Sequence, residues 1–243
     1  MEMTSMNAVI GSGAASGPPR HDVYGLIHKG LRAFMLDTLS SLGRVDVDSP
    51  ASFSGAVALT RALLGKLSEH LSHEDTFLHS ALEARSPGTA AVTAIEHADH
   101  QKAFVELEQL LQACEQAFDR GRRAELEPLT KQLYLNLSFF VAENLAHMHR
   151  EETETSKILW RLYTDDELRA IEGKIVASET PEQLAVGMRW MLPSLTPRER
   201  AGLLGGARQG LPAAAFQGLM ALAEGVLDAH DYQQLVAALG SRR

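Results

Sequence analysis

The chain has 243 residues, of which 45% are hydrophobic, and its net charge of −8 comes from 31 acidic and 23 basic side chains. This composition is ordinary for a packed protein of one large or two small domains, and it lacks the clustered Lys and Arg that a nucleic-acid partner requires. Because no apolar run reaches the roughly 18 to 20 residues of a membrane span and the N-terminus lacks a secretory pattern, we expect a soluble, cytoplasmic protein without a membrane partner.

Residues 1–19 are rich in small and helix-breaking residues and show no apolar periodicity, which predicts a flexible tail. A first helix is predicted from His21 to about Leu42, with Gly43 as its stop. Its inward stripe consists of Tyr24, Ile27, His28, Leu31, Met35 and Leu39. A histidine therefore interrupts an otherwise apolar face.

A second helix is predicted from Pro50 to about Arg85, because Ser49 is a favourable N-cap and proline suits the first helical position. A tight break at residues 86–88 separates it from a third helix, which ends at the polar turn 119–121. The stripe of this third helix contains Val92, Ile95, His97, His100, Phe104, Leu107 and Leu111.

A fourth helix is predicted from about Ala124 to Tyr163, with Pro128 in its first turn. Strand signals are absent along the whole sequence. Four long helices with short connections predict an all-α, antiparallel up-and-down four-helix bundle over residues 20–163.

The sequence pattern changes in residues 164–243, where capping boxes predict the starts of three shorter helices. The boxes are Thr164 to Glu167, Thr180 to Gln183 and Thr196 to Glu199. Further starts after Pro212 and near Ala229 imply a C-terminal extension of four or five helices. We expect this extension, which has the single histidine His230, to pack on the bundle or to bind a partner, either a second copy of the chain or another protein.

One spacing occurs twice in the predicted helices. His70 is followed four residues later by Glu74, and His147 is followed in the same way by Glu151. Residues four apart share one face of a helix, so each pair presents an imidazole and a carboxylate together. Nine of the ten histidines fall between residues 21 and 149, which indicates a site in this half of the chain.

With the apolar stripes turned inward, seven polar side chains face the predicted core. They are His28, His70, Glu74, His97, His100, His147 and Glu151. Buried carboxylates are costly unless a cation compensates them. Since Cys114 is the only cysteine, thiolate sites are excluded, and mixed nitrogen and oxygen ligands favour iron, manganese or zinc over calcium or magnesium.

This donor set suits two metal ions better than one. Five imidazoles and two bridging carboxylates, together with a bridging oxo or hydroxo group, leave one position open on two octahedral ions. An apolar lining is predicted from Phe77, Phe104, Leu107, Phe140 and Leu145. The open position would suit dioxygen, peroxide or nitric oxide.

These motifs resemble the hemerythrin-like, or HHE cation-binding, domain family. The resemblance covers about residues 20 to 163 and rests on His28, residues 70–78, Glu96 with His97, and residues 147–152, in the family's order. It implies a four-helix bundle that holds a non-haem di-iron centre, in a family of oxygen carriers, oxygen or redox sensors, and proteins that repair nitrosative iron damage.

The sequence also departs from the family's oxygen carriers. His97 and His100 are three residues apart where the carriers have four, so His100 is either a fifth imidazole ligand or a supporting residue. His79 and Ser80 replace an aromatic residue and a proline. Glu151, at the spacing of bacterial and sensor members, weakens an oxygen-transport function.

Several other side chains receive secondary predictions. We interpret His73 and His149 as supporting or surface residues, and Glu143 as a supporting acceptor or a solvated charge. His21 would substitute as a ligand if the first helix were shifted. Trp160, Trp190 and Met191 are predicted to join the C-terminal helices to the bundle, and Cys114 to be a small core residue.

Three functions follow from this interpretation. The first is a di-iron protein that senses or handles dioxygen, peroxide or nitric oxide, and that is a binding or sensor protein rather than a dedicated enzyme. The second is a non-redox interaction module whose bundle is stabilised by zinc or mixed metal. The third, a ferritin-like oxidase, ranks last because that class uses Glu-x-x-His pairs and more carboxylates.

Overall fold

The computed structural model describes residues 20–240, so the predicted tail at residues 1–19 lies outside the described residues. Every regular element within residues 20–240 is helical, which confirms the all-α prediction. The elements are α1 Gly25–Gly43, α2 Pro50–His73, π1 Glu74–His79, α3 Ser80–Arg85, α4 Ala91–Asp119, α5 Arg123–Arg150, π2 Glu151–Thr155, α6 Ser156–Leu162, α7 Asp165–Ser178, α8 Pro181–Ser194, α9 Pro197–Gly210, α10 Ala213–Val226 and α11 Ala229–Gly240.

Local sequence accounts for most of the helix boundaries. The side chain of Ser49 accepts a hydrogen bond from the backbone N–H of Ser52, and Pro50 takes the first position of α2. All three predicted capping boxes form, and they open α7, α8 and α9. Gly88 and Gly121 have φ values of 87° and 66°, which side-chain-bearing residues rarely adopt, in the turns before α4 and α5.

The predicted start of the first helix is wrong. Helix α1 begins at Gly25, whereas the apolar pattern extends back to His21. The carboxylate of Asp22 accepts hydrogen bonds from the backbone N–H groups of Tyr24 and Gly25, which satisfies these groups outside the helix. A local side-chain contact therefore overrides the periodicity.

The second and fourth predicted helices run along α2 to α3 and α5 to α6, but each contains a π-helical segment that the sequence pattern did not predict. Pro128 lies in the second turn of α5, not in the first, because α5 already begins at Arg123. Its ring removes the donor that the carbonyl of Ala124 would otherwise receive.

The four long helices contact one another in a ring. Helix α1 lies against α2 and α5, and helix α4 also contacts both. Their apolar faces meet in one core, in which the predicted core residue Cys114 is fully buried. The larger members of this core include Leu31, Phe34, Met35, Leu63, Leu107, Leu111, Leu133, Leu137 and Phe140.

Helix α8 lies along α1 and joins the later helices to the ring. Trp190 stacks on Phe34 with ring centroids 4.3 Å apart, and Met191 approaches Gly30 so closely that a Cβ there would lie 2.9 Å from the Met191 nitrogen. Trp160 belongs to a second apolar cluster with residues of α7. The joining role predicted for Trp160, Trp190 and Met191 is therefore confirmed.

The C-terminal helices have an apolar core of their own. Its buried members are Leu192, Leu204, Ala223, Leu235 and Leu239. Five helices, α7 to α11, follow α6 in residues 165–240. Across residues 20–240, none of the helices combines the length and the apolar character that crossing a membrane requires.

Candidate metal centre

Both His-x-x-x-Glu pairs lie where an α-helix passes into a π-helical segment. His70 is in the last turn of α2 and Glu74 is the first residue of π1, while His147 is in the last turn of α5 and Glu151 is the first residue of π2. Single π turns within α-helices occur frequently at functional sites. The two pairs thus share one local geometry on two different helices.

One group of ligand atoms joins α1 to the first pair. Nε2 of His28 lies 3.2 Å from Nε2 of His70, and Nε2 of His70 lies 3.1 Å from Oε1 of Glu74. These three residues offer atoms that all lie within 4.8 Å of one another. We call them the His28 group.

A second group joins α4 to the second pair. Nε2 of His97 lies 3.1 Å from Nε2 of His147, which in turn lies 3.3 Å from Oε2 of Glu151. Glu74 completes the group, because its Oε2 lies 3.5 Å from Nε2 of His97. We call these four residues the His97 group.

Glu74 and Glu151 each lie close to imidazoles of both groups. Glu74 points Oε1 towards the His28 group and Oε2 towards His97. Oε2 of Glu151 lies 3.5 Å from Nε2 of His28 and 3.3 Å from Nε2 of His147. The side chains of Glu74 and Glu151 are 3% and 0% exposed, so both carboxylates are buried, whereas the side chain of His70 is 15% exposed.

Three further carboxylates hold the outer nitrogens of the imidazoles. Nδ1 of His97 lies 2.7 Å from Asp75, and Nδ1 of His147 lies 2.8 Å from Glu96. Nδ1 of His28 lies 3.1 Å from Glu152. An ionised carboxylate can only accept a hydrogen bond, so each Nδ1 carries the proton and donates it.

Two of these acceptors are themselves held by arginines. Arg32 donates to both oxygens of Glu152, and Nε of Arg150 donates to Glu96. The pKa of Glu152 is about 2, because hydrogen bonds from His28 and Arg32 outweigh its partial burial. Residues that orient ligands in this way also fix the tautomer of each imidazole.

This arrangement leaves the centre electron-rich. When the imidazoles are neutral, as metal binding requires, and Nδ1 carries the proton, Nε2 is an acceptor, and the Nε2 atoms of His97 and His147 face each other at 3.1 Å. Oε1 of Glu74 and both oxygens of Glu151 are buried without a hydrogen-bond partner among the described residues. Such a set of buried acceptors fits positively charged metal ions.

The carboxylates of the centre also raise the pKa values of two of its imidazoles in the metal-free chain. Burial lowers the pKa of His28, but Glu152, Glu74 and Glu151 together raise it to about 9. The pKa of His147 is likewise raised to about 9, because Glu151 and Glu96 outweigh the effect of burial. Burial raises the pKa of Glu74, yet the charges and hydrogen bonds of His70 and His28 bring it well below its ordinary value.

The sequence also matches a known protein family. The family model for the hemerythrin HHE cation-binding domain matches residues 23–159, which is more than half of the chain. The chain belongs to the hemerythrin family. No curated protein and no solved structure matches the chain significantly.

The hemerythrin domain brings six of the seven predicted ligands into the two groups, and His100 is the exception. His100 is 4% exposed, and its ring lies 5.1 Å from that of His147 and 5.7 Å from that of Phe140. Its Nδ1 has no hydrogen-bond partner among the described residues. Burial and the charges of His147 and His97 lower its pKa to about 4, so the ring is neutral.

Three further histidines, His21, His79 and His149, do not belong to the two groups. His79, which was not a predicted ligand, stacks on His97 and lies 2.9 Å from both Asp75 and Oγ1 of Thr93. His149 is exposed, as expected for a surface residue. His21 contacts Glu172 at 2.9 Å, so it is engaged away from the two groups.

A further set of ligand-type atoms lies at the contact of α2 with the C-terminal helices. Glu69, His73 and Glu179 offer atoms within 4.8 Å of one another. The buried ammonium of Lys66 lies 2.5 Å from Glu179 and 3.3 Å from Glu69, so a cation of the chain itself already compensates these carboxylates. We therefore assign His73 to this ion-pair cluster.

The residues of the predicted apolar lining divide between two apolar clusters. Phe140 and Leu107 are buried in the main core, and Phe104 packs against Phe140 with ring centroids 5.3 Å apart. Leu145 is packed against the same core, whereas Phe77 belongs to the apolar cluster near α6.

The three supporting carboxylates stand beside predicted ligands in the sequence, but their supporting role was not predicted. Asp75 and Glu152 each follow the glutamate of a His-x-x-x-Glu pair, and Glu96 precedes His97. The repeated acid directly after each pair was the available signal. Its meaning depended on which helix packs against it, because Asp75 contacts α4 and Glu152 contacts α1.

Proposed function

We propose that this hemerythrin domain holds two non-haem iron ions and binds, senses or handles dioxygen, peroxide or nitric oxide. The observation that carries the proposal is the division of the ligand atoms into two groups that Glu74 connects through its two oxygens. One ion would be held by His28, His70 and Glu74, and the other by His97, His147, Glu151 and Glu74. The antiparallel up-and-down order of the four long helices is part of this proposal.

The two ions would have unequal surroundings. The ring of His100 lies 5.1 Å from that of His147, so a third imidazole adjoins the His97 group. The His28 group has only two imidazoles. We therefore infer that the open position belongs to the ion of the His28 group, with His100 as the fifth imidazole ligand on the other side.

Iron ions would supply the coordination position and the change of redox state with which dioxygen, peroxide or nitric oxide reacts. The chain itself orients the imidazoles through Asp75, Glu96 and Glu152. Burial of Glu74 and Glu151 shields these two carboxylates from water and strengthens their attraction for cations. These features support binding or sensing, and we propose that the C-terminal helices transmit the change or contact a partner protein.

The test is metal analysis of protein purified without oxygen, with an optical spectrum recorded before and after exposure to air or nitric oxide. We expect close to two iron ions per chain, as the two groups imply, and a new absorption band on exposure. His70→Ala should lose iron and the band. His149→Ala, which changes an exposed histidine, is the matched control and should retain both.

The alternative function gives a different result in the same experiment. If the chain is a non-redox module that metal merely stabilises, zinc or mixed metal replaces iron even in iron-supplemented cultures. The spectrum then stays unchanged in air, and a chelator lowers the melting temperature. This outcome would reject the redox function and leave the metal site intact.

A further inference from the structure

Tyr24 has a buried hydroxyl that no protein atom satisfies. The residue directly precedes α1 and is 0% exposed. Its Oη has no hydrogen-bond partner among the described residues. Burying a hydroxyl without an acceptor is unfavourable, and tyrosines in protein interiors usually have a partner. The hydroxyl is therefore placed for an acceptor that the chain does not provide.

The surroundings of Tyr24 show where that acceptor would be. Its ring lies 5.2 Å from the ring of His28, between centroids, so it adjoins the His28 group. The rest of the ring packs in an apolar cluster with Leu78 and Leu159, which follow Glu74 and Glu151 along their helices. Tyr24 thus lies between His28 and the residues of π1 and α6 that follow the two glutamates.

Electrostatics places the hydroxyl in the field of the centre. Burial raises the pKa of Tyr24 well above its ordinary value, and the charges of Glu151, Glu74 and Asp22 raise it further. A phenol carries its proton at neutral pH in any case, so the hydroxyl is available as a donor. Asp22 does not serve as its acceptor, since that carboxylate receives the backbone N–H groups of Tyr24 and Gly25.

A second tyrosine of the same apolar cluster shows the ordinary arrangement. Oη of Tyr163 donates a hydrogen bond to the carbonyl of Ala81 at 2.6 Å. The same cluster therefore contains one tyrosine whose hydroxyl has a structural partner and one whose hydroxyl has none. The hydroxyl of Tyr163 therefore has a structural role, whereas the hydroxyl of Tyr24 is free to bind a ligand.

We propose that Oη of Tyr24 donates a hydrogen bond to the small ligand that occupies the open position beside the His28 group. The ligand class is a small anion or diatomic molecule with an oxygen or nitrogen acceptor atom. This inference rests on the proposed function, because it requires a metal ion held by His28 and His70. It assigns to this chain a residue that would determine ligand affinity.

Azide is a suitable probe, since it is a small anion with terminal nitrogen acceptors. We would load the full-length protein with ferric iron, measure iron content, and titrate azide by absorption for the wild type, Tyr24→Phe and Tyr163→Phe. We expect azide to bind about three to ten times more weakly to Tyr24→Phe, as for the loss of one hydrogen bond, with iron content unchanged. Tyr163→Phe should bind azide like the wild type.

Thermal unfolding of the metal-free proteins provides the second readout. Tyr24→Phe should melt at the wild-type temperature or above it, because the hydroxyl makes no hydrogen bond in the metal-free chain. Tyr163→Phe should melt at a lower temperature, because it loses the bond to Ala81. A purely structural role for Tyr24 would lower its melting temperature as well.

The outcomes separate the two proposals. Equal azide affinity of the wild type and Tyr24→Phe overturns the role of Tyr24 and leaves the iron centre standing. A lower melting temperature and a lower iron content for Tyr24→Phe overturn it also, because the hydroxyl would then be structural. A wild-type protein that takes up no iron, or that binds iron but no azide, overturns both the open position and the role of Tyr24.

Discussion

Oε1 of Glu152 lies 3.1 Å from Nδ1 of His28, so that a side chain of π2 holds an imidazole of α1. The contact joins residues that are 124 positions apart in the sequence. Arg32, one turn after His28 on α1, donates to both oxygens of the same carboxylate. The His28 group is therefore oriented by residues that do not belong to it.

Glu152→Ala should weaken metal binding, because His28 loses the acceptor that fixes its Nε2 towards the centre. Removal of such supporting partners typically costs about 10- to 100-fold in metal affinity. Competition with a chelator of known affinity measures this directly. Glu152→Gln retains an accepting oxygen and should lose less.

Glu154→Ala is the matched control for this prediction, since Glu154 is an exposed residue of the same π-helical segment. It should leave the metal affinity unchanged. Equal losses in the Glu152 and Glu154 variants would indicate a general effect of negative charge and would contradict an orienting role.

Glu151→Gln should have opposite effects on the metal-free and metal-loaded protein. At a pH above about 9, where His28 and His147 have lost their extra protons, both oxygens of Glu151 are buried without a hydrogen-bond partner, so removing the charge should leave the metal-free chain equally stable or stabilise it by about 1–3 kcal/mol. The loaded protein should become less stable, because a ligand is lost. Melting curves with and without chelator measure both effects.

Near neutral pH the metal-free Glu151→Gln protein should be less stable than the wild type, because protonated His28 and His147 lose a neighbouring negative charge. A loss of stability that persists above about pH 9 would contradict the prediction. Glu154→Gln again serves as the control, with no change expected in either state. The melting temperatures of the two variants thus distinguish a carboxylate that binds metal from a carboxylate whose charge has no specific partner.

The sequence allowed most of the centre to be predicted, because the spacing of four in each His-x-x-x-Glu pair has one geometric consequence on a helix. His28 and His97 could be added because each lies on an apolar stripe. The fold class followed from the same stripes and from the capping boxes.

Other features depended on tertiary contacts that no single segment encodes. The role of Glu152 required knowledge that π2 faces α1, and the role of Asp75 required knowledge that π1 faces α4. Helix α1 started later than its apolar pattern because Asp22 caps local N–H groups. The spacing of three between His97 and His100 left the role of His100 open, and of the two only His97 belongs to the ligand groups.

Gly30→Ala should loosen the contact of α8 with α1. A Cβ at Gly30 would lie 2.9 Å from the backbone nitrogen of Met191, which cannot move without displacing the helix. We expect a destabilisation of about 1–3 kcal/mol in thermal unfolding, typical of overpacking. Limited proteolysis should cleave the segment before α8 faster than in the wild type.

Gly173→Ala is the control for the glycine prediction, because a Cβ at this position of α7 meets no atom within 4 Å. Alanine favours helix over glycine by roughly 0.5–1 kcal/mol, so this variant should be more stable than the wild type. If both variants changed stability in the same direction, steric contact with Met191 would not be the cause.

The ion pair of Glu167 with Arg85 predicts a pH dependence. Hydrogen bonds from Arg85 and from the backbone of Thr164 lower the pKa of Glu167 to about 2. A depressed pKa in the folded state contributes stability above the ordinary value near 4.5, and this contribution is lost as the pH falls towards 2. Unfolding curves of the wild type and Glu167→Gln between neutral and acidic pH test this.

The stability difference between these two proteins should be largest at neutral pH and should vanish near the folded pKa. Glutamine still completes the capping box with Thr164, so the change isolates the charge. A difference that stays constant over this pH range would assign the effect to the cap instead of the ion pair.

The most direct test of the two-ion centre is a crystal structure of the iron-loaded protein with anomalous data recorded at the iron edge. Two peaks are predicted, one at bonding distance from Nε2 of His28 and His70 and one at bonding distance from Nε2 of His97 and His147, with Glu74 between them. A single peak, or peaks only at the cluster of Glu69, His73 and Glu179, would contradict it.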